Sequence, residues 1–246
     1  MVVSLAQVGT GVNAGIVRFV GAGLLAVSSA IFSVYALQNR RLDRLESQRA
    51  FWRYLVLLGV AGTTHGLVGA LLVAMDTRLL VAVSHASLLF ATVFLAFAMR
   101  ELYYNSALAP PPEERRVPLE RLRRIETGFV VVIVVELVVV LLIGQAGVAA
   151  FVKGVGSLAF AGYGVVFADR LESLTRGTSV DTLRRHLLPV LVSAGGIGVA
   201  DLAVFVGVGA PVVRGVESVF VVMAGAFLLT ATIRLQQNVH GLSSPE

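Results

Sequence analysis

The chain has 246 residues, 57% of them hydrophobic and 14% charged, with a formal net charge of +5. A soluble domain is about 45–50% apolar and about 25% charged, so this excess is too large for one globular core. The absence of cysteine excludes disulfides, thiolate metal sites and cysteine nucleophiles, and the arginines cluster between long apolar runs, where they signal topology rather than nucleic-acid binding.

Met1 to Gly15 lacks the basic opening of a signal peptide, so the first apolar run is expected to be a retained helix. A span needs about 20 apolar residues to cross about 30 Å of hydrocarbon. Seven runs qualify, at about 14–37, 54–75, 79–99, 125–144, 148–168, 187–209 and 212–233. The fold class expected is therefore all-α: one polytopic seven-helix membrane domain over 1–246, with no soluble domain.

The connections set the orientation. Arg40 to Arg53 holds five arginines, Arg100 to Arg124 six, and Arg170 to Arg185 four. The opposite connections, Asp76-Thr77-Arg78, Gln145-Ala146-Gly147 and Ala210-Pro211, are almost bare. The positive-inside rule then predicts a cell-membrane protein with its N-terminus outside. Loops 38–53, 100–124 and 169–186 and the tail 234–246 would be cytoplasmic. Trp52, Tyr54, Tyr103 and Tyr104 fall at the inner boundary, as an interfacial aromatic belt does. The short outer turns make helices 2–3, 4–5 and 6–7 antiparallel neighbours. Pro110-Pro111-Pro112 breaks the chain after helix 3. Loop 100–124 is the best place for a cytoplasmic protein partner, the competing reading being a solvated connector.

Asp43-Arg44-Leu45-Glu46-Ser47 recurs as Asp169-Arg170-Leu171-Glu172-Ser173, after helix 1 and after helix 5. This points to two parallel three-helix units joined by helix 4. Such a 3+1+3 arrangement resembles the microbial rhodopsins and the SWEET-type sugar transporters in topology. Microbial rhodopsins bind retinal through a lysine of the last helix. Helix 7 here has none, and the sole lysine is Lys153 in helix 5, so a retinal pigment is not expected. The proline-glutamine pair of many SWEET-related proteins is also missing.

Ionisable groups inside a membrane are costly and mark sites by default. They are His65 in helix 2, His85 in helix 3, Glu136 in helix 4, Lys153 in helix 5, Asp201 in helix 6, and Arg214 and Glu217 in helix 7, with Arg18 near the outer end of helix 1. Most lie roughly 8–14 Å below the outer surface, at 1.5 Å per residue. The inner halves of helices 3, 4 and 7 read as apolar. The expectation is an outward polar pocket bounded by Glu136, Lys153, Asp201 and Glu217; a structural network holding the helices in register is the alternative. Glu136 and Lys153, flanking one tight turn, are the expected ion pair. His65 and His85 on neighbouring helices admit haem or metal as a further alternative, although no cofactor or metal is expected.

Gly59, Gly62, Gly66 and Gly69 share one face of helix 2 and allow close backbone approach. Pro189 is expected near the inner end of helix 6. No phosphate-binding loop, dinucleotide fingerprint, zinc-protease pattern or nucleophile elbow occurs, so an enzyme is not expected. The expected role is a sensor or receptor-like module that takes a small ligand from outside. A small-solute or proton-coupled transporter comes second and a haem-binding electron carrier third.

Overall fold

The computed structural model describes residues 5–43, 48–105, 118–143, 146–175 and 179–243. They form seven helices: α1 (Leu5–Leu42), α2 (Arg49–Ala74), α3 (Arg78–Tyr104), α4 (Leu119–Ile143), α5 (Ala146–Thr175), α6 (Ser179–Ala203) and α7 (Ala210–Ser243). Each is long and apolar enough to cross a membrane. The chain is an all-helical, multi-pass membrane-type bundle. Rows of exposed valine, leucine and isoleucine on α1, α4 and α7 are compatible with lipid contact.

The helices extend beyond the apolar runs because charged residues continue them without a break. Arg40 and Arg41 lie in the last turn of α1. Thr77 caps α3 by accepting from the Leu80 amide at 3.3 Å. α6 passes into a 3₁₀ turn, Val204–Val206, and ends on Gly207 at φ +90°, the left-handed conformation that suits glycine. Because α6 begins at Ser179, Pro189 lies well inside it, and Ser193 donates to the Pro189 carbonyl at 2.8 Å. Pro110 to Pro112, residues 44–47 of the first pentapeptide, and Gln145 lie outside the described residues.

Six helices close a ring in the order α1, α2, α3, α5, α6, α7 and back to α1, while α3 also reaches α6 across it. α4 stands outside this ring, packed chiefly on α3. The expected close α4–α5 hairpin is therefore corrected: the two are consecutive along the chain, but their backbones approach at few positions and they meet mainly through side chains such as Phe129 on Phe160. The reason is in α4 itself. Its buried residues are only Glu126, Ile133 and Val140, one seam at seven-residue spacing, and its branched side chains offer no small-residue face for a close neighbour.

Small residues bring the ring helices together. A Cβ on Gly66 would sit 2.5 Å from the Ala26 nitrogen and 2.7 Å from the Ala22 carbonyl oxygen. One on Gly59 would meet the Ser29 carbonyl oxygen at 2.8 Å. The glycine face of α2 thus lies against α1. α5 and α6 cross the same way, with Gly198 opposite Gly154 and Leu158. Between these crossings Phe32, Leu55, Leu58, Leu95, Leu191 and Leu228 fill the centre of the bundle.

Candidate functional site

The two ends of the bundle differ in chemistry. At the short-turn end, beside Asp76 and Ala210, a cavity of about 430 Å³ opens between α1, α2, α3, α5, α6 and α7. Three cationic side chains (Arg18, Lys153, Arg214) and three anionic ones (Asp76, Asp201, Glu217) line it, with His65 and His85. The Lys153 ammonium lies 2.7 Å from Asp201 Oδ2 and 3.6 Å from Glu217 Oε1. Lys153 and Asp201 are buried, and Glu217 keeps a quarter of its side chain exposed. A buried cation held by two carboxylates is stable there because its partners replace lost hydration.

Lys153 pairs with Asp201, and the expected partner Glu136 does not line the cavity. Glu136 Oε2 is buried without a hydrogen-bond partner. The cause is the displacement of α4 from the ring: α6 and α7, not α4, present carboxylates to α5. Of the seven candidate side chains, the structure brings together His65, His85, Lys153, Asp201, Arg214 and Glu217 around one cavity and leaves Glu136 apart.

His65 Nδ1 lies 3.0 Å from the Ser84 carbonyl oxygen, which makes Nδ1 the donor and leaves Nε2 as an acceptor. The hydroxyls of Ser84 and Ser87 lie 3.4 and 3.5 Å from the same nitrogen. His85 Nδ1 is buried without a hydrogen-bond partner. Among the described residues no group of three His, Cys, Asp or Glu side chains is arranged to hold a metal ion. Below the cavity lies a void of only about 30 Å³ against Leu25, Leu58, Leu88, Leu95 and Leu228. That apolar layer closes the cavity toward the other end.

The arginine-rich end holds a second charged cluster that corrects the apolar reading of α3 and α4. Arg100 is fully buried. It reaches Glu101 Oε1 at 2.9 Å and Glu126 Oε1 at 2.7 Å. Arg123 donates to both oxygens of Glu101, at 2.8 and 2.9 Å, and the Asn105 amide adds a bond of 3.0 Å. Tyr163 of α5 donates to Glu126 at 3.2 Å. Positions 100–104 and 119–124 are therefore helical, and Arg100 and Glu101 are buried rather than presented on a loop. The overlooked signal was Glu126, a carboxylate at the second position of an apolar run beginning at Ile125.

Between α5 and α6, buried Arg184 bridges Asp181 at 2.9 Å, Glu172 at 3.1 Å and the Ala168 carbonyl at 3.3 Å. This engages Glu172 of the second pentapeptide copy. Near the first copy, Trp52 Nε1 donates to Asp43 Oδ2 at 2.6 Å.

No protein-family model matches the chain, and no curated protein is significantly similar to it.

Proposed function

We propose that the chain is a non-enzymatic, receptor-like membrane module that takes a small amphoteric solute into the cavity at its short-turn end. The cavity carries this reading: it is walled by three cationic and three anionic groups and closed beneath by leucines. Opposite charges within one cleft suit a ligand that bears both an ammonium and a carboxylate or phosphate, since each end finds a counter-charge without net charge burial. Under the positive-inside rule the arginine-rich connections favour that end lying outside the cell. A partner on the cytoplasmic side would read the ligand through the opposite end of the bundle.

The second reading is a small-solute transporter built from two three-helix units, α1–α3 and α5–α7. Two observations favour it. Gly66 lies against Ala22 and Ala26, and Gly198 against Gly154 and Leu158; all three positions are displaced by 132 residues. The ring order is also unchanged when α1, α2 and α3 are exchanged with α5, α6 and α7. Parallel repeats of this kind occur in transporters. The pentapeptide copies are 126 residues apart, Asp43 to Asp169, so they do not share the register of the crossings.

Zwitterionic solutes such as amino acids and betaines are the first probes. Saturable stabilisation of the purified chain, lost in Asp201→Asn and Glu217→Gln, with no uptake into proteoliposomes, is the result expected of a receptor. Uptake by the wild type that both substitutions abolish would replace this reading with the transporter.

A further inference from the structure

The gap between α4 and the ring forms a groove of about 450 Å³ against α3 and α5, which shares no lining residue with the charged cavity. Its walls are Phe97, Phe129, Ile133, Val155 and Phe160. Phe129, Val132, Phe151 and Val155 are exposed, so the groove opens toward the surrounding lipid. It runs from Leu122 to Ile133 on α4 and from Phe151 to Tyr163 on α5. At 1.5 Å per residue that is roughly 17–18 Å, a shape for one extended chain.

Polar lining is confined to the arginine-rich end, where Glu126 and Tyr163 face each other. Glu126 is only 5% exposed. Its Oε1 is ion-paired with Arg100 and accepts a hydrogen bond from Tyr163, whereas its Oε2 is buried and has no hydrogen-bond partner. A buried acceptor in that state calls for a donor, and this one belongs to a residue lining an open apolar groove.

We propose that this groove binds a long single-chain alcohol of the fatty or isoprenoid class, whose hydroxyl donates to Glu126 Oε2 and whose chain lies along α4 and α5 toward Phe151. The alternatives fit less well. A fatty acid sets a second carboxylate against Glu126. A phospholipid tail brings ester oxygens, which are acceptors, where the site needs a donor. A hydrocarbon fills the groove but leaves the acceptor unmet.

The test uses the full chain in lipid nanodiscs with hexadecanol carrying a mid-chain diazirine. Photoadducts are expected on 122–133 and 151–163. Excess hexadecanol should suppress them at least about fivefold more effectively than hexadecane or palmitate, the scale of one hydrogen bond. Ala159 lines the groove and is exposed; Ala159→Phe should abolish labelling without changing thermal unfolding. Adducts spread over all lipid-facing helices would show bulk lipid only and overturn the proposal. So would equal competition by hexadecane or palmitate, or labelling that survives Ala159→Phe.

Discussion

Replacing Lys153 with methionine tests the centre of the charged cavity. The substitution keeps the volume of the side chain and removes its charge. Lys153 and Asp201 have side-chain exposures of 6% and 10%, against 26% for Glu217. Asp201 therefore bears most of the penalty of losing its partner, and Glu217, at 3.6 Å and closer to water, bears a smaller share. Breaking a buried pair from one side costs about 3–5 kcal/mol, so Lys153→Met should destabilise the protein by about that amount. Adding Asp201→Asn removes the stranded charge and should recover about 0.5–3 kcal/mol, the range of coupling between contacting residues. Glu136→Leu, by contrast, should be neutral or stabilising, because Glu136 Oε2 already lacks a partner. Reversible unfolding in mixed micelles measures these proteins beside the wild type, with Asp201→Asn alone and Lys153→Met combined with Glu136→Leu completing the two cycles. Additive losses for Lys153 and Asp201, or a large loss for Glu136→Leu coupled to Lys153, would refute the pairing.

Arg100→Met should cost about 3–5 kcal/mol by stranding Glu101 and Glu126, whereas Arg123→Gln, at a side chain 43% exposed, should cost less than about 1 kcal/mol; equal losses in thermal unfolding would contradict the assigned burial. Gly66→Leu must push α1 away, since even a Cβ meets the Ala26 nitrogen at 2.5 Å; a disulfide between cysteines introduced on α1 and α2 should form with Gly66 in place and fail once Gly66→Leu is added, and its persistence would discount the crossing. A reporter fused after Glu246 should be cytoplasmic and one fused before Met1 external; the reverse result would overturn the arginine rule for this chain and turn the charged cavity inward.

Seven helices were legible because each apolar run is long enough to span a bilayer and the arginines punctuate them. That His85, Lys153, Asp201 and Glu217 share a layer was legible from depth alone, since consecutive antiparallel helices measure depth from a common turn; depth set His65 nearer the midplane, yet it lines the same cavity, as does Arg214. Azimuth was not legible. Depth places Glu136 beside Lys153, but only the rotation and lateral position of α4 decide whether the two meet, and α4 is uniformly apolar around most of its circumference. The Arg100 cluster escaped for a different reason. A hydropathy window ends at the first charge, so Arg100 and Glu101 read as the start of a loop. In the fold they are buried because α4 and α5 supply Glu126, Arg123 and Tyr163.

The placement of the two ion clusters bears on whether the cavity can open to the other side. Lys153, Asp201 and Glu217 come from α5, α6 and α7, so they tie together the second three-helix unit alone. His65 and His85 stand across the cavity on α2 and α3. A solute held between them would span the seam between the units at the short-turn end. At the arginine-rich end the same α3–α5 seam is clamped: Arg100 of α3 holds Glu126 of α4, and Glu126 takes a hydrogen bond from Tyr163 of α5. An inward-opening transporter would have to part this chain of contacts in each cycle. Tyr163→Phe cuts the link to α5 and leaves the Arg100–Glu126 pair in place. If the clamp gates transport, that variant should raise solute exchange in proteoliposomes at unchanged binding affinity. If the protein is a receptor closed by its leucine layer, Tyr163→Phe should lose about 1 kcal/mol of stability, one net hydrogen bond, and still show no flux. The leucines beneath His65 favour the second outcome, and flux in the variant would reject it.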